Sequence, residues 1–325
     1  MTVPRIFYFC YDHQRPSGGQ KQMYRHIDIL NRDGYQAFAL HVQKGFRLTW
    51  FDNETRVICF DDMKKIYDPL KDLIVLPEDL GEKILSFPGK KIIFNQGAYL
   101  GFYCMGLQSP KTYPYLHSDI RAVIVVSDHN RDYLSFAYPD AKIYRVYNGF
   151  ESKKYPYRPI DTKRNIISCL PSNNPVDMSQ VYHILMSRAH QGINRLRDYK
   201  WIFIENMPEQ AVARTLGDSL VFIFLSTEEG FGGMPLEAML SGSLVVAYMG
   251  GPLTEYLNSD NSFPSPKGDI MDVVKNIEKV VALFDDENNA LSQVSQKAME
   301  TASRYSMERE KESVLETWKV IIGGN

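Results

Sequence analysis

A glycine-rich segment in the second half of the chain carries residue types that suit the binding of a phosphate ester. Residues 225–240 read as the end of a strand, a loop with Gly230, Gly232 and Gly233, and a helix with Pro235 near its first position. Glycine lets a backbone approach a ligand closely, and the free amides and dipole of a helix N-terminus favour a phosphate. Ligands of open parallel sheets bind beyond the carboxyl ends of the strands, so we expect this loop to contact a ligand.

Two carboxylates, Glu229 and Glu237, lie on either side of these amides in the sequence. Glu237 is suited to accepting hydrogen bonds from paired ribose hydroxyls and Glu229 from the hydroxyls of a sugar, while the amides of Gly233, Met234 and Leu236 would meet a phosphate. The segment is neither a P-loop nor a dinucleotide-binding turn, because it lacks both glycine patterns. A plain glycine-rich turn, in which Glu237 only complements the helix dipole, is the alternative interpretation.

The spacing from Glu229 to Glu237 resembles the Glu-x7-Glu motif of the retaining glycosyltransferases of family 4. Gly250, Gly251 and Pro252 follow as they do in that family. The resemblance implies an α/β protein of the GT-B fold, with two Rossmann-like parallel-sheet domains facing a deep cleft. It also implies that a sugar is transferred from a nucleotide-sugar with retention at the anomeric carbon.

The resemblance further implies a donor site in which the base lies against the segment around Met207 and the ribose on Glu237. Gly18 and Gly19, before the first helix, look like the glycine loop of the family, although an ordinary strand-helix turn would have the same residues. The implied donor-binding residues are Gly18, Gly19, Ser172, Asn173, Asn174, Met207, Gly230, Phe231, Gly232, Gly233, Met234, Pro235, Leu236 and Glu237. The implied catalytic residues are Glu229, Gln96 and Asn95.

The chain departs from the family where an Arg and a Lys commonly contact the donor diphosphate. Residues 171–175, after the first strand of the second domain, contain no cation. Hydroxyl, amide and backbone donors could replace the missing charge, or Arg188 or Lys21 could supply it. A weakened or lost activity is the third alternative.

A second departure concerns a His that often ends a strand near the reacting carbon in this family. Here Asn95 and Gln96 follow the strand residues 92–94, so we expect an amide in the role of the imidazole. His117 and His129 are near in sequence, and both are expected to be surface or helix-cap residues.

Short apolar runs alternate with amphipathic stretches along the whole chain, which predicts two α/β domains in series. We expect an acceptor-side domain at 1–155, a linker near 151–163 and a nucleotide-sugar domain at 164–305. A last helix at 306–325 is expected to pack back on the first domain. Strands are predicted at 6–10, 37–42, 56–60, 73–76, 91–94, 122–126 and 143–146, and then at 165–170, 201–205, 220–225 and 244–248.

The composition is that of an ordered globular protein. The chain has 325 residues, of which 44% are hydrophobic and 23% charged, and its formal charge is -2. This balance argues against nucleic-acid binding. The aromatic fraction of 12%, with 20 Tyr, fits either sugar-facing surfaces or rings packed on half-buried sheets and helices.

No metal or other cofactor is expected, because the sequence has no Asp-x-Asp motif and no zinc-type cysteine pattern. The four cysteines are widely spaced, and we expect them to be reduced and buried, as in a cytoplasmic protein. They are Cys10, Cys59, Cys104 and Cys169.

The N-terminus lacks the apolar core of a signal peptide, and no run approaches the ~20 apolar residues of a membrane span. We therefore expect a cytoplasmic protein that is soluble or rests on the inner face of a membrane. Arg5, Arg15, Lys21 and Arg25 would form a basic face for such a contact, although a solvated helix face is the favoured interpretation of these residues.

Three functions fit the sequence. The first is a retaining hexosyltransferase that uses a nucleotide-sugar, UDP-glucose as the best guess, and a saccharide or lipid-linked saccharide as acceptor in polysaccharide or glycolipid synthesis. The second is a nucleotide-sugar epimerase or hydrolase on the same fold. The third is a non-catalytic subunit that binds a sugar nucleotide.

Overall fold

The computed structural model describes residues 3–107, 112–286 and 289–323. The chain forms two compact units, one from Met1–Gly149 with Met307–Asn325 and the other from Phe150–Ser306. Each unit is built on one parallel sheet, which agrees with the predicted α/β class and with two Rossmann-like domains.

The first unit holds a seven-stranded parallel sheet in the order β3-β2-β1-β4-β5-β6-β7. Its strands are β1 (Arg5–Phe9), β2 (Gln36–His41), β3 (Val57–Cys59), β4 (Leu73–Pro77), β5 (Lys91–Asn95), β6 (Ile120–Val125) and β7 (Ile143–Arg145). Its first helices are α1 (Gly18–Arg32), α2 (Phe60–Met63), α3 (Leu100–Tyr103) and α4 (Asp128–Ala137). The sequence predicted all seven strands. The central strands β4 and β5 are buried at every residue, as is typical of continuous apolar runs in parallel sheets. Strand β3 is shorter than predicted, since Phe60 begins a helix.

The second unit holds a five-stranded parallel sheet in the order β12-β11-β10-β8-β9. Its strands are β8 (Arg164–Cys169), β9 (Lys200–Phe203), β10 (Ser219–Phe224), β11 (Leu244–Met249) and β12 (Phe263–Pro266). Its helices are α5 (Pro175–His190), α6 (Glu209–Asp218), α7 (Gly233–Leu240), α8 (Ile270–Asp285) and α9 (Asn289–Ser303). The sequence pattern after β11 also predicts a helix from about Pro252, but Gly251–Glu255 form only a short 3-10 turn. Strand β12 was missed because two prolines interrupt it, a composition that sheets tolerate at an edge.

The connections of the second sheet create a switch point. The chain runs from β8 outward to β9, returns to the other side of β8 as β10, and continues to β11 and β12. The loops that follow β8 and β10 therefore leave neighbouring strands in opposite directions. In open α/β sheets this is where ligands bind.

The observed division falls between Gly149 and Phe150, and the expected linker at 151–163 is part of the second unit. Tyr155 and Ile160 are buried there. The buried Lys163 ammonium donates hydrogen bonds to carbonyls at the ends of α6 and α7. The acceptors are the oxygens of Leu216 (3.3 Å), Gly217 (2.8 Å) and Ser241 (2.7 Å). Prolines and basic residues thus marked an ordered segment rather than a linker.

The last helix, α10 (Met307–Gly323), groups with the first unit. Trp318 is fully buried and donates its indole N–H to the hydroxyl of Tyr8 at 3.0 Å. The guanidinium of Arg25 on α1 pairs with the buried carboxylate of Glu310 at 2.8 Å. The helix is therefore part of the first unit's core.

The cysteines are free thiols, and three of them are buried. Cys104 is exposed, in contrast to the expectation, because it follows the short helix α3 in a turn at the surface. No helix in the described part of the chain has the length and apolar character needed to cross a membrane.

Candidate functional site

The start of α7 is fixed by Gly232, which precedes the helix with a left-handed φ of 78°. A Cβ at this position would lie 2.6 Å from Cδ2 of Leu253, so only glycine fits without displacement. The hydroxyl of Tyr256 donates a hydrogen bond to the Gly232 carbonyl. The turn that aims the helix N-terminus is thereby held from one side.

An aromatic cluster supports the same turn. Phe231 is buried, and its ring centroid lies 5.3 Å from that of Tyr305 and 5.6 Å from that of Tyr256. A Cβ on Gly233 would come 3.1 Å from the ring of Phe150. The glycines thus permit close packing against rings as well as an open approach to the helix end.

The free amides at this helix end are fewer than the sequence suggested. The helix begins at Gly233, so Pro235 is its third residue rather than its first, and proline has no N–H. Helical hydrogen bonds run from residue i to residue i−4, so Leu236 is the first residue with an intrahelical acceptor. The amides of Gly233 and Met234 are those that an anion can use.

Glu229 lies at the switch point and is half-buried. Its carboxylate accepts a hydrogen bond from Nδ2 of Asn173 at 2.9 Å and another from Ser226. Burial raises the pKa of Glu229 above its ordinary value, although the two hydrogen bonds act in the opposite direction. The turn after β8 and the loop after β10 therefore meet at this carboxylate.

Asn174 ties the same two segments together. It caps α5 by accepting from the backbone N–H of Asp177 at 3.3 Å, and its amide donates to the carbonyl of Leu225 at 3.1 Å. Ser172 in the same turn is exposed. The structure thus brings Asn173 and Asn174 to the loop that contains Glu229.

Glu237 is held by a residue that sequence reasoning missed. The hydroxyl of the buried Tyr155 donates to its carboxylate; burial and this carboxylate raise the pKa of Tyr155. Lys154 pairs with Glu151 at 2.8 Å and with Glu209 at 3.2 Å. Since Tyr155 lies in the expected linker, no local signal in the sequence connects it with Glu237.

The segment expected to contact the base lies between β9 and α6. Met207 is half-buried, and Asn206 has a φ of 50°, the one left-handed non-glycine residue among those the structure describes. Glu209, in the first turn of α6, interacts electrostatically with Tyr155. This segment therefore approaches the surroundings of Glu237.

In the first unit, two of the predicted residues are in direct contact. The side-chain amide of Gln96 donates to the carbonyl of Gly19 at 3.0 Å and to Oε1 of Gln22 at 3.2 Å. A Cβ on Gly19 would lie 2.6 Å from Oε1 of Gln96. Gly18 begins α1 beside them, where a Cβ would meet nothing within 4 Å.

Asn95 and Gln96 differ in their surroundings. Asn95 is fully buried, donates to the hydroxyl of Tyr115 at 3.0 Å and accepts from Asn130 at 3.2 Å. Gln96 is half-buried, and its backbone N–H donates to the carboxyl of Glu78 at 2.9 Å. Burial raises the pKa of Glu78 from 4.5 to about 8.

Glu78 follows β4, and its place after an apolar strand was the signal that could have identified it.

His129, in the first turn of α4, forms a hydrogen bond with the hydroxyl of Tyr99 at 2.9 Å. Across the described residues, no group of three or more His, Cys, Asp or Glu could hold a metal ion.

Residues 195–298, which include Glu229 and the whole of α7 with Glu237, match the glycosyl transferases group 1 family. The match covers about a third of the chain and is a similarity of this part to that family. A curated relative, an alpha-1,6-glucosyltransferase of Actinobacillus pleuropneumoniae serotype 7, is 22% identical over 260 residues, or 75% of this chain and 72% of the relative. These two similarities support glycosyltransferase activity.

Solved structures share the fold along nearly the whole chain. The sucrose-phosphate synthase of Thermosynechococcus elongatus is similar at a TM-score of 0.70 and 12% identity, over 99% of this chain and 100% of that one. HepE of Anabaena, in complex with UDP and glucose, is similar at a TM-score of 0.63 and 14% identity, over 97% of this chain and 99% of that one. The predicted GT-B class of two Rossmann-like domains is confirmed by these neighbours together with the two parallel sheets.

Proposed function

We propose that this protein is a retaining hexosyltransferase of the glycosyl transferases group 1 family that uses a UDP-hexose, with UDP-glucose as the first candidate. The acceptor is a saccharide or a lipid-linked saccharide. The observation that supports the proposal is the contact of Glu229 with Asn173 at the switch point of the second sheet, in the loop that leads to the free amides of α7 and to Glu237. The name of the Actinobacillus relative and the UDP and glucose bound by HepE support the choice of donor.

In the proposed donor site, the carboxylate of Glu237 accepts hydrogen bonds from the paired ribose hydroxyls. Tyr155 holds that carboxylate in place, and the base lies along the segment 206–208. The amides of Gly233 and Met234 bind the diphosphate. Glu229 orients the sugar through its hydroxyls.

The proposed reaction breaks the bond between C1 of the sugar and the β-phosphate oxygen. Negative charge builds on the leaving UDP, and fixed amide donors at the helix N-terminus stabilise it. The acceptor oxygen forms its bond to C1 on the face that UDP leaves, and its proton passes to the departing phosphate oxygen. Configuration at C1 is therefore retained, and the products are UDP and the glycosylated acceptor.

We further propose that no metal ion takes part, because helix amides supply the electrostatic stabilisation. Turnover in an excess of EDTA is expected to equal turnover without it. Loss of activity in EDTA that Mg²⁺ or Mn²⁺ restores would contradict this part of the proposal.

A non-catalytic subunit that binds a sugar nucleotide is the second candidate. The neutral turn of Ser172, Asn173 and Asn174 favours it, since the turn offers a diphosphate no charge. In that case a nucleotide would bind, but no UDP would be released from any UDP-sugar.

Calorimetry and thermal shift with UDP, GDP, ADP and their glucose esters test the proposal. We expect UDP and UDP-glucose to bind wild type and to lose most of their affinity for Glu237→Ala. Glu300→Ala, an exposed carboxylate on α9, is the matched control. Failure of every nucleotide to bind at millimolar concentration would overturn the proposed function.

Turnover is tested by the release of UDP from UDP-glucose in the presence of a panel of saccharides and alkyl glycosides. The anomeric proton of the product, measured by NMR, reports whether configuration is retained. An inverted product would contradict the proposed mechanism and leave the transferase activity standing.

A further inference from the structure

The proposed donor site has an unbalanced charge. Glu229 and Glu237 are both acidic, and the turn at 171–175 offers no cation. A nucleoside diphosphate brings at least two further negative charges to this place. Two amides at a helix end contribute only about half a positive charge, so a cation within reach of the diphosphate would strengthen its binding.

Arg188, a candidate from the sequence, is engaged at the wrong end of α5. Its guanidinium makes two hydrogen bonds with the carboxylate of Glu278, at 2.7 Å and 3.0 Å. It lies in the last turn of the helix, whereas the switch point is at the first. At a rise of about 1.5 Å per residue, the two ends are roughly 20 Å apart.

Lys267, directly after β12, contacts the loop after β10 that contains Glu229. Its ammonium donates a hydrogen bond to the carbonyl of Thr227 at 3.2 Å. Thr227 stands two residues before Glu229, in the same loop. Because parallel strands end at one edge of the sheet, a side chain after β12 reaches the loop after β10.

The backbone that carries Lys267 is joined to both segments of the switch point. The N–H of Gly268 donates to the hydroxyl of Tyr248, which donates to the carboxylate of Asp177 at 2.8 Å. That carboxylate also accepts from the amide of Asn174 at 2.9 Å. Asn174 in turn donates to the carbonyl of Leu225. The base of the lysine is thus fixed, while its side chain is exposed.

We infer that Lys267 is the cation that binds the donor diphosphate, an inference that rests on the proposed function. When the nucleotide binds, its ammonium exchanges the Thr227 carbonyl for a phosphate oxygen. A charge-assisted hydrogen bond of this kind is stronger than a bond to a neutral carbonyl. The lysine thereby takes the place of the cation that the turn at 171–175 lacks.

The test compares UDP, UMP and uridine by calorimetry on wild type, Lys267→Gln and Lys267→Arg. We expect Lys267→Gln to lower the affinity for UDP about tenfold. The affinity for UMP should fall less, and the affinity for uridine should not change. Lys267→Arg keeps the charge and should restore most of the UDP affinity. Added salt should weaken UDP binding to wild type more than to Lys267→Gln. Lys275→Gln, an exposed lysine on α8, is the matched control.

The outcomes separate the inference from the proposed function. If UDP binds wild type and Lys267→Gln equally well, the inference is overturned and the proposed function stands. If Lys267→Gln weakens uridine as much as UDP, the lysine only holds the loop and the inference is again overturned. If UDP does not bind wild type, the proposed function fails and the inference fails with it.

Discussion

The two candidate sites differ in how their parts are distributed along the sequence. In the second unit, both carboxylates and the helix amides come from residues 229–237. In the first unit, Gly19, Glu78 and Gln96 follow β1, β4 and β5, which lie side by side in the sheet. A site made from one segment is visible as a motif, whereas a site made at a sheet edge becomes visible only when the strand order is known.

The largest expected effect is that of Glu229→Ala. If residues 229–237 form the catalytic site, loss of this carboxylate should lower kcat by about 10²–10³, the usual scale for a group that acts in the transition state. UDP affinity should change little, because Glu229 is proposed to bind the sugar and not the nucleotide. Steady-state kinetics and calorimetry check both, with Glu300→Ala as control, and an unchanged kcat would remove Glu229 from the mechanism.

Tyr155→Phe should have the next largest effect, and it tests a contact that the motif does not contain. Loss of the hydrogen bond from Tyr155 to the Glu237 carboxylate is expected to lower the affinity for UDP about tenfold. Tyr157→Phe removes a hydroxyl that contacts Ser295 at 3.2 Å and should leave UDP binding unaltered. Equal effects of the two substitutions would mean that Tyr155 stabilises the fold without positioning Glu237.

Gly19→Ala should have a smaller effect, confined to the first unit. The new Cβ meets the flexible end of Gln96 and moves it, so we expect turnover to fall severalfold at unchanged UDP affinity. A Cβ at Gly18 would meet no atom within 4 Å, so Gly18→Ala should lower turnover less than Gly19→Ala does. If the two adjacent substitutions act alike, the contact between Gly19 and Gln96 has no role in the reaction.

Glu78→Gln should change stability more than activity. With its pKa raised from 4.5 to about 8, folded Glu78 keeps a proton that the unfolded chain releases. Its contribution to stability is full below the unfolded pKa and is lost as the pH rises through the folded pKa. Chemical denaturation between about pH 5 and about pH 9 should show a weaker loss of stability for Glu78→Gln than for wild type. Parallel profiles would show that Glu78 does not titrate in this way.

The sequence was most informative where one physical cause acts locally. Apolar runs located all seven strands of the first sheet, most clearly β4 and β5, in which every residue is buried. It failed at β12, where prolines stand at an edge, and at 151–163, where polar composition hid buried side chains. In each case the deciding contact comes from a distant part of the chain.

The candidate site divides in the same way. The glycine spacing and the carboxylates Glu229 and Glu237 could be identified as site residues from the sequence. Tyr155, Glu78 and Lys267 could not, since each contacts a residue far away in sequence. The tyrosines also needed the structure. Tyr8, Tyr24, Tyr115, Tyr248 and Tyr256 are buried, which favours the packing interpretation of the aromatic content for these five.

The position of α10 has a consequence for the order in which the chain is made. The first unit begins at the N-terminus, but the indole of Trp318 that bonds to Tyr8 is synthesised after the whole second unit. At typical rates of about 5–20 residues per second, the ribosome needs on the order of ten seconds or more to cross that interval. Throughout it, the nascent first unit exposes the apolar surface that Trp318 later covers, and chaperones have their longest access to the half of the protein that emerges first.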